Sequence, residues 1–419
     1  MTTHNGTVVK CRICDADTFA VIDLGNHPFA NNLAVAPELP VETFPLCLHV
    51  CQNCSAAQLC YCADDHALYD EYNYITPDSE MLREHYAHIV DFLKDHHYLG
   101  DHSHILEIGS NIGHFLAYVR PFVESVLGVD PARNISQMAN QRGIHTLNTF
   151  FNADSAEHIL QTHGQQDLIV ARHCFAHNAK PGLILDGIVK LLSPEGVFLI
   201  ENAYFLDTIR RFEFDQIYHE HMYYYNIRSI REIIKKYHLK LVDVYHSTIH
   251  GGTMMYLVQH ESSPNTTSDR LRECLDQEKD MHQQEYYAAF LKRIESNKSH
   301  LQELLNRLIK AGKRIHAYGA CAKSTTLLNY YGIDSALIPY IVDSTVTKHG
   351  KYIPIAGIKV ISEEESQKMA PDYYLLTIWN YRDEVINKVR AWGNTHSRFI
   401  LPHPEVEISN CTILGSMKT

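Results

Sequence analysis

Two Cys-x-x-Cys pairs, Cys11–Cys14 and Cys51–Cys54, stand near the start of the chain. Each pair can chelate one side of a tetrahedral ion. Four thiolates leave no open coordination position, so the chemistry they suit is a structural zinc site. A second stretch runs from Glu107 to Gly113, Glu-Ile-Gly-Ser-Asn-Ile-Gly. It reads as a strand end, a turn bracketed by Gly109 and Gly113, and a helix start. Glycine lets the backbone approach a ligand closely, and the helix start offers it unpaired N–H groups. The next strand ends in Asp130, about 20 residues beyond the turn, where a ribose's hydroxyls would be met. The turn lacks the third glycine of dinucleotide sites, so a ribose-bearing ligand without a pyrophosphate fits it best. A third stretch, Phe214 to His221, crowds Tyr218, Glu220 and His221 with further aromatic and acidic residues and suits acid–base work. A fourth candidate is Lys323, in the first turn of a helix that follows another strand. A cation beside helix N–H groups suits a phosphate or diphosphate.

These residues need a scaffold. After Asp130, apolar runs at 143–148, 166–173 and 195–202 alternate with helical stretches such as 181–193. Such alternation predicts a doubly wound, mostly parallel sheet with its ligand beyond the strand C-termini. Glu107, Asp130, the loop from His173 to Asn178 and the chain after Asn202 then share one crevice. Phe151 and Asn152, past the third strand, are placed to meet an adenine. Residues 237–247 and 251–260 read as a hairpin-like pair around His250, Gly251 and Gly252. Residues 66–98 read as helical, with Tyr69, Tyr72, Tyr74 and Tyr86 as core, although Pro77 leaves Tyr72 and Tyr74 near a loop. A linker at 262–267 leads to a charged helical stretch with an apolar face of Leu301, Leu304, Leu305, Leu308 and Ile309. From Lys313 a second strand–turn–helix, with Gly319 at the turn, is followed by a strand ending in Asp343. The expected division is a zinc module at 1–66, a nucleoside-binding domain with leading helices at 67–262, a connecting segment at 263–312 and a second Rossmann-like domain at 313–419.

The totals set bounds. The chain has 419 residues, 45% of them hydrophobic, a formal charge of −12 and eleven cysteines. An acidic chain lacks the basic footprint of a nucleic-acid or anionic-membrane partner. An odd cysteine count cannot pair fully, and the polar start reads as no signal peptide, so a reduced, cytoplasmic protein is expected; a monomer is the expected state.

With these motifs in place, the chain resembles the sugar C-methyltransferases of deoxysugar biosynthesis. The four-cysteine module, the Glu107–Gly113 turn, Phe-Asp-Gln-Ile-Tyr-His-Glu-His at 214–221, His-Gly-Gly at 250–252 and the stretch 318–333 occur in that family's order. The resemblance implies an α/β chain: a class I, Rossmann-like S-adenosyl-L-methionine (SAM) methyltransferase domain, an N-terminal zinc-binding module and a second, C-terminal Rossmann-like domain. It implies C3 methylation of a nucleotide-linked 4-keto-6-deoxyhexose. Cys11, Cys14, Cys51 and Cys54 would hold Zn2+. Glu107, Gly109, Asn111, Gly113 and Asp130, with Phe151 and Asn152, would hold SAM. Tyr74 (or Tyr72), His177, Tyr218, Glu220 and His221 would line the reaction site. Lys323 would meet the sugar nucleotide's phosphates, and His250 and Gly251 the sugar. Among the acid–base candidates, His221 is expected to be the base, Glu220 its support, and Tyr218 and His177 the groups near the ketone oxygen. The competing readings are an RNA methyltransferase that grips nucleic acid through the zinc module, and a zinc-stabilised scaffold with no activity.

Overall fold

The computed structural model describes residues 9–63 and 74–409, and the expectations for Tyr69 and Tyr72 lie outside that range. The chain forms two compact units. Among the described residues, unit 1 comprises 9–20, 49–63, 74–207 and 220–286, and unit 2 comprises 21–48, 208–219 and 287–409.

The N-terminal strands are β1 (Thr18–His27), β2 (Phe44–Cys51) and β3 (Ala57–Leu59). The large sheet of unit 1 is built from β4 (His104–Ile108), β5 (Ser125–Val129), β6 (Thr146–Leu147), β7 (Gln166–Arg172) and β8 (Leu192–Ala203). A short β9 (Tyr223–Tyr224) pairs antiparallel with β3. The sheet is completed by β10 (Leu239–Ser247) and β11 (Thr253–His260), in the order β10-β11-β8-β7-β4-β5-β6. Pairing from β8 through β6 is parallel, whereas β10–β11 and β11–β8 are antiparallel. Helices cover both faces of the parallel part, so its strands read as apolar runs: Leu168, Ile169, Val170 and Ala171 of β7 are all fully buried. The expected third strand at 143–148 shrinks to two residues, because this edge strand has only β5 to pair with.

The stretch at 66–98 yields one described helix, Glu80–Asp95. Ser79 caps it by accepting from the Leu82 N–H, Glu80 and Lys94 suit its dipole, and Leu82, Tyr86, Ile89, Val90 and Leu93 form its buried face. That face packs in one core with Ile105 of β4, Val170 of β7 and Leu199 of β8.

Unit 2 holds a second doubly wound sheet of β12 (Ile315–Tyr318), β13 (Tyr340–Val342), β14 (Lys359–Ile361), β15 (Tyr373–Leu376), β16 (Arg398–Leu401) and β17 (Glu407–Ser409), ordered β14-β13-β12-β15-β16-β17. Its pairs are parallel except β16–β17. The helix Ala288–Lys310 buries Leu301, Leu304, Leu305 and Leu308 of the expected apolar face and leaves Ile309 half-buried. Among the described residues no helix is long and apolar enough to cross a membrane.

Candidate active site and metal centre

The metal centre lies in unit 1. Cys11, Cys14, Cys51 and Cys54 bring their sulfurs within 4.8 Å of one another, the group among the described residues that could hold an ion. Individual separations are 3.7 Å for Cys11–Cys54, 3.4 Å for Cys14–Cys51 and 3.6 Å for Cys14–Cys54. Tetrahedral zinc with Zn–S bonds of ~2.3 Å needs sulfurs ~3.8 Å apart, so the donor set fits the ion. The Cys51 sulfur also accepts from the Asn53 and Cys54 backbone N–H groups, at 3.3 and 3.4 Å, which steadies a thiolate. The knuckle reaches further. Arg12, inside the first pair, donates to the Leu59 carbonyl at 2.8 Å and the Met222 carbonyl at 3.1 Å, and its Nε meets the Tyr223 hydroxyl at 3.2 Å. Met222 follows His221 directly, so the zinc module grips the segment that carries a candidate base.

The expected cofactor crevice is at the C-terminal ends of β4, β5 and β7. Gly109 takes φ +65°, and a Cβ there would lie 2.7 Å from the Cys174 Cβ, so only glycine allows the turn to pack against the loop after β7. Asp130 is 7% exposed. One carboxylate oxygen accepts from the Asn111 N–H and the other from the Ala132 N–H, both at 3.0 Å. Each oxygen keeps a lone pair for a ribose hydroxyl. Burial raises this carboxyl to about 6 against those two bonds. Glu107 is buried, and burial pushes it up to about 8, with Arg172 opposing. Its Oε2 has no hydrogen-bond partner among the described residues, and a buried polar atom of that kind is open to an added partner. Asp130 and Glu107 thus present side-chain oxygens at the ends of the adjacent parallel strands β5 and β4.

Asn111 has a second use. Its side chain accepts from the Thr76 N–H at 3.0 Å and donates to the Tyr74 carbonyl at 3.1 Å. The glycine-rich turn therefore pins Tyr74, whose residue is 48% exposed, beside the cofactor crevice. Asn152 spends its side-chain oxygen on a capping box at the helix Ala153–His163, and Phe151 is buried against Gly187.

The candidate acid–base groups divide between the two units. In unit 1, the His177 and His221 rings stack with centroids 5.1 Å apart, and the Tyr224 ring meets His221 edge-on at 5.9 Å. His173 meets His250 edge-on at 5.3 Å, which joins the loop after β7 to the His-Gly-Gly turn. Burial lowers His177 to about 4, so its imidazole is neutral at cellular pH. Glu220, 5% exposed, is in the same unit. Tyr218 and Lys323 belong to unit 2. There, the Lys323 ammonium lies 4.8 Å over the Trp379 ring and 3.5 Å from Asn380 Oδ1. His219, which sequence spacing could pair with His221 around a metal, is buried in unit 2 edge-on to the stacked Phe29 and Phe44 rings, at 5.4 and 6.1 Å. Burial lowers it to about 4.

Two supports of the site escaped the sequence reading. Beside Glu107, Arg172 lies over the rings of Tyr86 and Phe115, at 4.6 and 4.8 Å, and near Glu107 and Glu201, at 3.8 and 3.6 Å. Glu201 accepts from His85 at 2.6 Å and from the Thr253 hydroxyl at 3.2 Å. Burial would raise Glu201, but His85, His173 and Arg172 outweigh it and hold the carboxyl well below its usual range. A charged residue closing an otherwise apolar strand was the available signal, at both Arg172 and Glu201. The second support is Asp207. Its carboxylate packs so closely on Gly252, which has φ +121°, that a Cβ there would lie 2.1 Å from an Asp207 oxygen. Asp207 also pairs with His246, fixing the turn that carries His250 and Gly251.

Three family models match the chain: a zinc binding domain over 11–69, a methyltransferase domain over 79–244 and a C-methyltransferase C-terminal domain over 248–404. Among solved structures, the N-methyltransferase NodS of Bradyrhizobium japonicum WM9 is 19% identical, covering 44% of this chain and 98% of that one at a TM-score of 0.33. Magnesium protoporphyrin IX methyltransferase (ChlM) of Synechocystis PCC 6803, with bound SAM, is 11% identical over 42% and 79% of the two chains at 0.31. The C-methyltransferase NovU of Streptomyces niveus is 32% identical over 404 residues, 95% of this chain and 96% of that one. Identity at that level along almost the whole of both chains places this one in the C-methyltransferase family: it is a SAM-dependent C-methyltransferase with a structural zinc centre.

Proposed function

We propose that the protein methylates C3 of a nucleotide-linked 4-keto-6-deoxyhexose through an enolate, with His221 as the base. The observation that carries this reading is the stacked His177–His221 pair, held in unit 1 together with Glu107, Asp130 and the pinned Tyr74. A carbon beside a ketone loses a proton readily because the resulting charge spreads onto oxygen. That step needs a base matched to neutral pH and donors for the enolate oxygen. An imidazole has the right basicity, and His221 takes the C3 proton. His177, kept neutral by burial, can donate a ring N–H to the ketone oxygen, and the Tyr218 hydroxyl, ordinarily protonated near pH 7, serves the same end. Glu220 orients its neighbour His221. SAM, when bound, supplies an electrophilic methyl group. The chain's part is to hold C3 in line with that group and to keep water away. Lys323, over the Trp379 face, receives the diphosphate, and His250 and Gly251 contact the sugar.

The test is incubation with SAM and a panel of TDP-, GDP- and CDP-linked 4-keto-6-deoxysugars, followed by mass spectrometry and by NMR to locate the new methyl. One added methyl at C3 is expected. Methylation at oxygen, or of no member of the panel, would reject the proposal.

The two nucleotide sites separate by mutation. Asp130→Ala removes a hydrogen-bonding carboxylate and is expected to weaken SAM binding by about 10–100-fold, while the sugar nucleotide's affinity stays within about twofold. Lys323→Ala is expected to do the reverse. Calorimetry with each ligand reads both, and a Lys323→Ala variant altered only toward SAM would refute the phosphate role.

A further inference from the structure

In unit 2 the strand order reverses between β12 and β15, since β12 leads outward to β13 and β14 and β15 to β16. Open α/β sheets take ligands in the crevice beyond the strand C-termini at such a point. Here the groups that follow those strands are engaged with the chain's own segment 213–217. The Trp379 indole N–H, past β15, donates to Asp215 Oδ2 at 2.8 Å. His403 Nε2, past β16, stands 3.6 Å from the same oxygen. Past β12, the Thr326 hydroxyl donates to the Ile217 carbonyl at 2.9 Å, and the Tyr331 ring packs on Phe214 at 4.9 Å. Phe214, Asp215 and Ile217 are completely buried.

We propose that the switch-point crevice of the C-terminal Rossmann-like sheet is a cradle for the chain's own Glu213–Ile217 segment, and that Asp215, tied by Trp379, is a positioning residue for Tyr218. The proposal rests on the reading of Tyr218 as a donor to the enolate oxygen. A carboxylate taken wholly out of water must be repaid by hydrogen bonds, and a charge-assisted bond from an indole is a strong, directional one. In a buried core a one-residue side-chain packing contact would use an apolar residue at lower cost. An aspartate there specifies one position of the backbone instead. Tyr218 follows three residues later, a span of at most ~10 Å, so a shift of the anchor is passed on. Displacing a catalytic group by ~1 Å can cost ~10²-fold in rate.

Trp379→Phe keeps an aromatic face under Lys323 and removes only the N–H. Its kcat is expected to fall about 10-fold or more, with SAM affinity and the sugar nucleotide KM within about twofold of wild type. Asp215→Leu should fall as far, and the double variant no further, because one interaction has been removed twice. Asp215→Asn keeps an acceptor for the indole and should retain most of the rate. Hydrogen–deuterium exchange followed by mass spectrometry should show faster exchange at 213–219 in Trp379→Phe and unchanged exchange in β4–β8. Wild-type kcat in Trp379→Phe, additive losses in the double variant, or a loss in Asp215→Asn equal to that in Asp215→Leu would each overturn the positioning role. The exchange readout needs no substrate, so unaltered protection at 213–219 refutes the cradle itself, whereas a panel in which the wild type methylates nothing refutes the proposed reaction.

Discussion

Replacement of His221 by asparagine is expected to lower exchange of the C3 hydrogen with deuterated water by about 10²–10⁴-fold, the usual contribution of a positioned general base. Exchange is the informative readout because it reports proton removal without methyl transfer. Asparagine keeps much of the imidazole's size and a hydrogen-bonding capacity, so the stack on His177 loses its base rather than its packing. The pH profile carries the same assignment. A base works only when unprotonated, so the wild-type rate should rise with pH as the base loses its proton, and His221→Asn should abolish that limb. His177 does not confuse that limb, since burial holds it neutral down to about 4. His177→Asn should therefore lower the plateau and leave the limb in place. Should His221→Asn exchange at the wild-type rate while His177→Asn is inert, the two roles are exchanged.

Loss of the zinc centre is the second large effect expected. Metal analysis should find about one zinc per chain, as a four-thiolate site implies. Cys51→Ser removes a ligand that also accepts two backbone N–H groups. Structural zinc sites contribute on the order of 10 kcal/mol to the folding of the small modules that contain them. The variant is expected to lose zinc and melt at markedly lower temperature. The damage should spread beyond the module, because Arg12 holds the Met222 carbonyl and β3 pairs with β9. Exchange at the C3 position should then fall along with the folded fraction, whereas SAM affinity, which we propose Glu107 and Asp130 set, should survive in the protein that remains folded. A metal-free, fully active protein with an unaltered melting temperature would remove the site from the account.

Sequence by itself determined what depends on short spacing. The two cysteine pairs, the turn at Gly109 with the acid at Asp130, the alternation of strands with helices and the apolar face of the helix Ala288–Lys310 all follow from local chemistry and periodicity, and the sheets and the sulfur cluster agree with them. Tertiary structure decided what depends on remote residues meeting in a buried place. His85 reaches Glu201 across 116 positions and Trp379 reaches Asp215 across 164, and no period in the chain announces either bond. It decided the use of ambiguous polar side chains as well. Asn111 pins the backbone at Tyr74 and Asn152 caps a helix, although both carry groups that a cofactor could have claimed. It also divided the run of residues at 214–221, sending Tyr218 and the buried His219 to one unit and Glu220 and His221 to the other. Burial of side chains such as Phe214 and Asp215 fixes where such a segment lies, and that burial exists only once the sheets have formed.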